Sequence, residues 1–334
     1  MNILLTSVGR RAYMVKYFQE ALQGKGKVHV CNSEESVAFH YADKSILAPL
    51  IYSDEYIPFL LNYCKQNHID ILISLFDIDL LILAKNKDLF EKIGTKVIVS
   101  DKEIIQICND KWETYKFLLA NNFYVPKTFI SIDGLQQALN NNEVSFPIIV
   151  KPRFGCGSLS IATAYDKEDL DYLYKKSCRE INSSYLRYES CHIDQKVLFQ
   201  EFLVGKEYGA DIINDLHGKI QNIIIREKIA MRSGETDIAT IVDIPKVKSE
   251  LFRLGNLTKH IANMDCDIFI VDDKPYILEL NARFGGGYPF SHAAGCDLPY
   301  AIVQWCKGEP LDGTILEAKN GIKAYKELII STDK

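Results

Sequence analysis

The stretch CDIFIVDDKPYILELNARFGGG, residues 266–287, places oxygen donors, a guanidinium and glycines close together. Side chains alternate sides along a strand, so Glu279 and Asn281 share one face of a strand running through YILEL. The DDKP segment at 272–275 reads as a hairpin turn, which would bring Asp267 to that face from the neighbouring strand. Two carboxylates and an amide make a hard, oxygen-only donor set suited to Mg2+, with Mn2+ as the alternative. Facing carboxylates repel unless a cation lies between them. A solvated sheet edge would also carry acids, but the flanking IFIV and YILEL read as buried. Arg283 continues the same face, where a guanidinium would meet phosphate or carboxylate oxygens. Gly285, Gly286 and Gly287 then remove side chains where a substrate must approach the backbone.

Three further stretches carry chemistry. In IIVKPRFGCGS a strand delivers Lys151, and Gly155 and Gly157 bracket a loop whose amides could close on phosphate oxygens. No GK[ST] follows, so this is not a Walker A loop, and an ordinary hairpin has the same composition. In LFQEFLVGKEYGAD the backbone at Glu201, Phe202 and Leu203 could meet the polar edge of an adenine, and Glu207 two ribose hydroxyls; a strand, a turn and solvated acids read equally from it. In IIREKIAMRSGETDIAT, Arg226, Lys228 and Arg232 could neutralise an acceptor carboxylate and a γ-phosphate, or form the basic face of an alternating strand. His292 reads as structural or as a rim contact rather than as a base.

These residues need elements to position them. Apolar runs at 2–7, 27–33, 69–77 and 95–100 alternate with helical segments, which predicts an open parallel α/β unit over residues 1–103. Ligands of such sheets sit at the carboxyl ends of the strands, which puts the TSVGRR turn with Gly9 and Arg10 at a ligand edge. Residues 104–120 predict one amphipathic helix with Lys111 near its middle. Beyond it, 201–281 alternates apolar and polar residues, as antiparallel strands with one solvated face do. IKAYKELIIS near the end predicts a last strand.

Net charge of −5 and the absence of a basic run argue against non-specific nucleic-acid binding. The nine cysteines are scattered without a CxxC pair, as expected of reduced thiols in a cytoplasmic protein. No stretch has the length and apolarity of a signal peptide or a membrane span, so neither a membrane nor a nucleic acid is an expected partner.

Taken in order, Lys111, Lys151 before its glycine loop, QEFLVGKEY and ILELNARFGGG resemble the ATP-grasp superfamily. The likeness is to proteins similar to one synthetase half of the carbamoyl-phosphate synthetase large chain, over roughly residues 1–310. It implies mixed α/β and α+β architecture: a parallel pre-ATP-grasp domain (1–103) and an ATP-grasp domain (104–310). The latter would divide into a small lid subdomain (about 118–200) and a larger antiparallel-sheet subdomain (about 201–310), with 311–334 packing on it. It implies that Lys111 and Lys151 contact nucleotide phosphates and that loop 154–160, with Gly155, Gly157 and Ser158, is the lid over them. Glu201, Phe202, Leu203 and Leu278 would bind adenine and Glu207 the ribose, while Asp267, Glu279 and Asn281 would hold magnesium. Arg283, with Lys151 and Arg232, would steady the transferred phosphoryl group, and Gly9, Arg10, Arg226, Lys228, Arg232 and Gly286 would face the acceptor. Ser160 stands where a further glycine is frequent. The chain is shorter than a full synthetase half and shows no amidotransferase partner, so carbamoyl-phosphate synthesis itself is not expected. The implied reaction is ATP-dependent joining of a small carboxylate to a small amine through an acylphosphate; a homodimer is compatible with it. The rival readings are a non-catalytic ATP-binding regulatory module and a nicotinamide-dependent oxidoreductase, the latter disfavoured by the missing GxGxxG.

Overall fold

The computed structural model describes residues 1–155, 157 and 159–332. Five parallel strands form the first sheet: β1 (Asn2–Thr6), β2 (Lys27–Asn32), β3 (Lys44–Leu47), β4 (Ile69–Ser74) and β5 (Lys96–Val97). Their order is β3-β2-β1-β4-β5. β1 and β4 are almost wholly buried because helices cover both faces, which is why they read as unbroken apolar runs. β3 was not expected: it is a short edge strand with largely exposed residues, so its KSIL sequence carries no apolar signature. The order reverses between β1 and β4, and the crevice of such a sheet lies outside the strand ends at that point. The turn 7–11 is there.

A four-stranded sheet follows, in the order β6-β9-β7-β8. Its strands are β6 (Thr128–Phe129), β7 (Ile148–Pro152), β8 (Ala162–Ala164) and β9 (Val197–Glu201). It has a core of its own, built from Leu135, Val150, Leu170, Ile181 and Phe199 among others. The largest sheet holds six strands: β10 (Lys206–Asn214), β11 (Ile220–Arg232), β12 (Glu235–Val242), β13 (Asn263–Val271), β14 (Lys274–Asn281) and β15 (Lys323–Tyr325). The order is β14-β13-β10-β11-β12-β15, antiparallel throughout. Side chains of the first unit, such as Phe18, pack with Phe284, Tyr288 and the Leu298–Lys307 helix in one continuous core.

The single helix predicted over 104–120 is two helices, Lys102–Asn109 and Lys111–Ala120. Asp110 breaks it: its backbone is extended and its side chain accepts from the Trp112 amide as an N-cap. Lys111 is therefore the first residue of a helix and not its middle. Among the described residues every cysteine is a free thiol, and no helix is long and apolar enough to cross a membrane.

Candidate active site

Asp272 and Asp273 both take left-handed backbone conformations, forming the two-residue turn that joins β13 to β14. That turn sets the register as far as Ile268 opposite Ile277; a bulge at Leu278 then shifts it by one, so that Asp267 lies opposite Glu279 and Asp265 opposite Asn281. Asp267, Glu279 and Asn281 thus come together across one ladder. They line a cavity of about 920 Å3 between the three sheets. Lys151, Gly157, Glu201, Phe202, Leu203, Glu207 and Leu278 line the same cavity on its nucleotide side by the sequence reading. Gly9, Arg10, Arg226, Lys228, Arg283 and Gly286 line it as well.

Three sequence-predicted site residues do not line this cavity. Lys111 and Gly155 line an adjoining small pocket, which they share with Glu279. Arg232 is half-exposed, paired with Asp237, and is not among the lining residues. Ser158 lies outside the described residues. His292 stacks on Tyr17 with ring centroids 3.6 Å apart and does not line the cavity.

The polar side chains of the site are paired. Lys111 Nζ is 3.4 Å from Glu279 Oε1 and donates to the Gly155 carbonyl. Lys151 Nζ donates to Gln200 Oε1 at 2.8 Å, and burial, aided by the nearby Lys111, lowers its pKa to about 8. Lys228 Nζ donates to Glu207 Oε1 at 2.6 Å and Asp267 Oδ1 at 2.7 Å. Arg226 is fully buried and bridges Asp211 and Asp265. Burial raises the Asp265 pKa above the usual carboxylate range, even with Arg226 beside it. Arg283 pairs with Asp77, its Nη2 2.6 Å from Asp77 Oδ2.

The glycine run has two roles. A Cβ on Gly285 would overlap the Asp265 carboxylate, and one on Gly287 would overlap the Arg226 guanidinium. These two glycines admit the buried ion network. Gly286 and Gly287 both line the cavity, but of the three only Gly286 has room for a Cβ, whose nearest neighbour would be Glu235 at 3.7 Å.

Several contributing residues carried no signal in the sequence. Gln200 orients Lys151 while its amide nitrogen donates to Thr128 Oγ1 at 2.9 Å. Arg153 holds Asp110 with two hydrogen bonds of 2.8 and 2.6 Å, and its carbonyl accepts from the Lys111 amide. Arg11 lines the cavity beside Arg10 and donates to the Leu75 carbonyl at 2.7 Å. Asp77 follows β4 in sequence, so its position at a strand end was the one available hint.

Among the described residues no three His, Cys, Asp or Glu side chains gather as a metal-binding group. A cation here would rest on Asp267, Glu279 and the Asn281 amide. This fits Mg2+, which takes few protein ligands and completes its shell with water and phosphate oxygens.

Comparisons with known proteins bear on the family and the fold. A family model described as ATP-grasp domain matches residues 108–287, and one described as PylC-like, N-terminal domain matches residues 3–98. The chain is 26% identical over 316 residues to the carbamoyl phosphate synthase large chain of Pseudothermotoga lettingae, covering 90% of this chain and 26% of that protein. The chain spans about a quarter or less of the length of the curated relatives it matches. The biotin carboxylase domain dimer of Hydrogenobacter thermophilus 2-oxoglutarate carboxylase, solved with MgADP, ADP and bicarbonate, is similar in fold. Its TM-score is 0.71 at 15% identity, covering 93% of this chain and 70% of that one. The L-amino acid ligase of Bacillus licheniformis has a TM-score of 0.70 at 17% identity, covering 98% and 81%.

Proposed function

The chain belongs to the ATP-grasp family, and on that premise we propose that it is an ATP- and Mg2+-dependent ligase joining a small carboxylate to a small amine. The observation that carries this reading is convergence: Asp267, Glu279 and Asn281 meet in the cavity that Lys151, Arg283 and the turn 7–11 also line. Phosphoryl transfer needs positioning and charge neutralisation more than covalent chemistry from the protein, and this is what these side chains offer.

In this reading Glu201, Phe202, Leu203 and Leu278 receive the adenine and Glu207 the ribose. Lys111, Lys151 and the glycine loop hold the phosphates. Asp267, Glu279 and Asn281 would hold Mg2+, whose chemistry is to neutralise the phosphate oxygens. The acceptor carboxylate lies between the turn at Gly9 and Arg10 and the open backbone at Gly286. Its oxygen attacks the γ-phosphorus, the bond to ADP breaks, and an acylphosphate forms. Arg283 and Lys151 steady the charge on the transferred phosphoryl group. The amine then attacks the acyl carbon, phosphate leaves, and the amine proton passes to solvent. Arg226 and Lys228 act by holding carboxylates in place, and Arg232 lies at the rim of the β11–β12 hairpin, outside the reacting groups.

The test is ADP release from ATP against a panel of amino acids, peptides and sugar acids as carboxylates, each with and without an amine. ADP formation requiring both partners supports the ligase. No partner-dependent ADP from any pair sinks it.

A further inference from the structure

The reading above leaves Lys228 without a role toward substrate, although its ammonium, unlike those of Lys111 and Lys151, is held between two carboxylates. It sits on β11, yet its side chain reaches past β10 to Asp267 on β13. One nitrogen serves two carboxylate oxygens, Glu207 Oε1 at 2.6 Å and Asp267 Oδ1 at 2.7 Å, and the side chain is 6% exposed. Lys111 is placed differently: it stands 3.4 Å from Glu279 and is bound otherwise to a backbone carbonyl. Glu207 and Asp267 belong to two halves of the site, ribose and metal, and two acids sharing a partly enclosed space repel unless a cation joins them.

We propose that Lys228 is a resident counter-ion that holds Glu207 and Asp267 together until a divalent cation takes over Asp267. It is a positioning residue rather than a contact for the acceptor. The proposal rests on the reading of Asp267 and Glu279 as metal carboxylates. It adds that the metal must compete with a built-in ammonium for one of its ligands. The nucleotide-free protein therefore binds divalent cations weakly by construction, and the lysine links the ribose carboxylate to the metal carboxylate.

The experiment is Mn2+ binding to the nucleotide-free protein, followed by the electron paramagnetic resonance signal of free Mn2+. Lys228→Gln keeps amide hydrogen bonds to both acids but removes the charge. It is expected to tighten Mn2+ binding by about tenfold. Lys228→Arg keeps the charge and is expected to bind Mn2+ as the parent protein does. Unchanged or weaker binding in Lys228→Gln overturns the proposal, as does equal tightening in Lys228→Arg. If Lys228→Gln has no melting transition without metal, Mn2+ must restore one; no restoration also overturns it. Glu279→Ala separates the two readings. If it leaves Mn2+ affinity untouched, the metal assignment falls and this proposal with it. If it abolishes binding while Lys228→Gln gains none, only the counter-ion falls.

Discussion

At the scale of single residues, the site is largely a set of paired charges, with Lys151 held instead by the neutral Gln200 amide. Removing the carboxylate at 279 takes away a predicted metal ligand and leaves Lys111 without its anionic partner. Glu279→Ala is expected to lower turnover about a thousandfold or more, as loss of several kcal/mol of charge stabilisation requires, read as ADP formed per minute. Retention of parent-level activity would remove Glu279 from the metal set. The glycine run offers a sharper contrast. Gly287→Ala drives a methyl into the Arg226 guanidinium and is expected to cost about 1–3 kcal/mol in denaturant unfolding. Gly286→Ala meets only Glu235 at 3.7 Å, and is expected to change stability by less than about 0.5 kcal/mol while raising the KM of the acceptor. Equal stability losses at both positions would refute the division of roles along the run.

Elements decide where those residues can act. Lys111 reaches Glu279 only because Asp110 interrupts what the amphipathic pattern presents as one helix. Periodicity registers apolar spacing on both sides of Asp110 and is blind to a break that preserves it. The break is fixed from outside the helix, by the two hydrogen bonds from Arg153 at the end of the small sheet. Asp110→Ala loses the cap and the anchor together. It is expected to cost about 1–2 kcal/mol in unfolding and to raise the KM for ATP more than it lowers kcat. An unchanged KM would mean that Lys111 holds its position without this junction. β3 shows the converse failure: an edge strand with few buried residues leaves no alternation to read. The β13–β14 hairpin was legible in its turn and its apolar runs, but not in the bulge at Leu278, which shifts the register by one and brings Glu279 opposite Asp267.

At the scale of the whole molecule, the first unit and the large sheet share a core, whereas the small sheet has its own. The small sheet's subdomain touches the first unit through Tyr52, whose hydroxyl donates to Glu189 at 2.9 Å and whose ring stacks on Tyr188 at 4.3 Å. Tyr52→Phe keeps the stack and loses the hydrogen bond. It is expected to destabilise this contact by about 1 kcal/mol, seen as faster proteolysis within 153–196 with the global unfolding midpoint little changed. Equal protection in both proteins would show that the contact does not hold the subdomain down. Acid stability is set deeper. His260 is buried, its Nε2 donating to the Ile212 carbonyl at 2.9 Å and its Nδ1 accepting from Thr258 Oγ1 at 3.0 Å, and burial lowers its pKa to about 4. Between the ordinary histidine value and about 4 the unfolded chain binds a proton that the fold refuses. Stability therefore falls as pH drops through that window, by roughly 3 kcal/mol in all. Denaturant unfolding from pH 7 to pH 4 should show this loss, and His260→Gln should flatten it.

The sequence by itself determined what depends on neighbours along the chain. The period of two put Glu279 and Asn281 on one face, and the Asp272–Asp273 turn paired their strand with that of Asp267; the bulge at Leu278 that sets Asp267 opposite Glu279 came only with the structure. Strand ends after apolar runs located the turn 7–11 at the cavity. Tertiary structure alone decided which charge answers which. Arg283 meets Asp77 from 206 positions away, Arg226 meets Asp265, and Lys228 joins Glu207 to Asp267. The glycines at 285 and 287 follow from the same cause: the groups that forbid them side chains are supplied by β13 and β11. Charge pairing acts through space over a few ångströms, and local sequence patterns carry no information about which distant segment will come within that range.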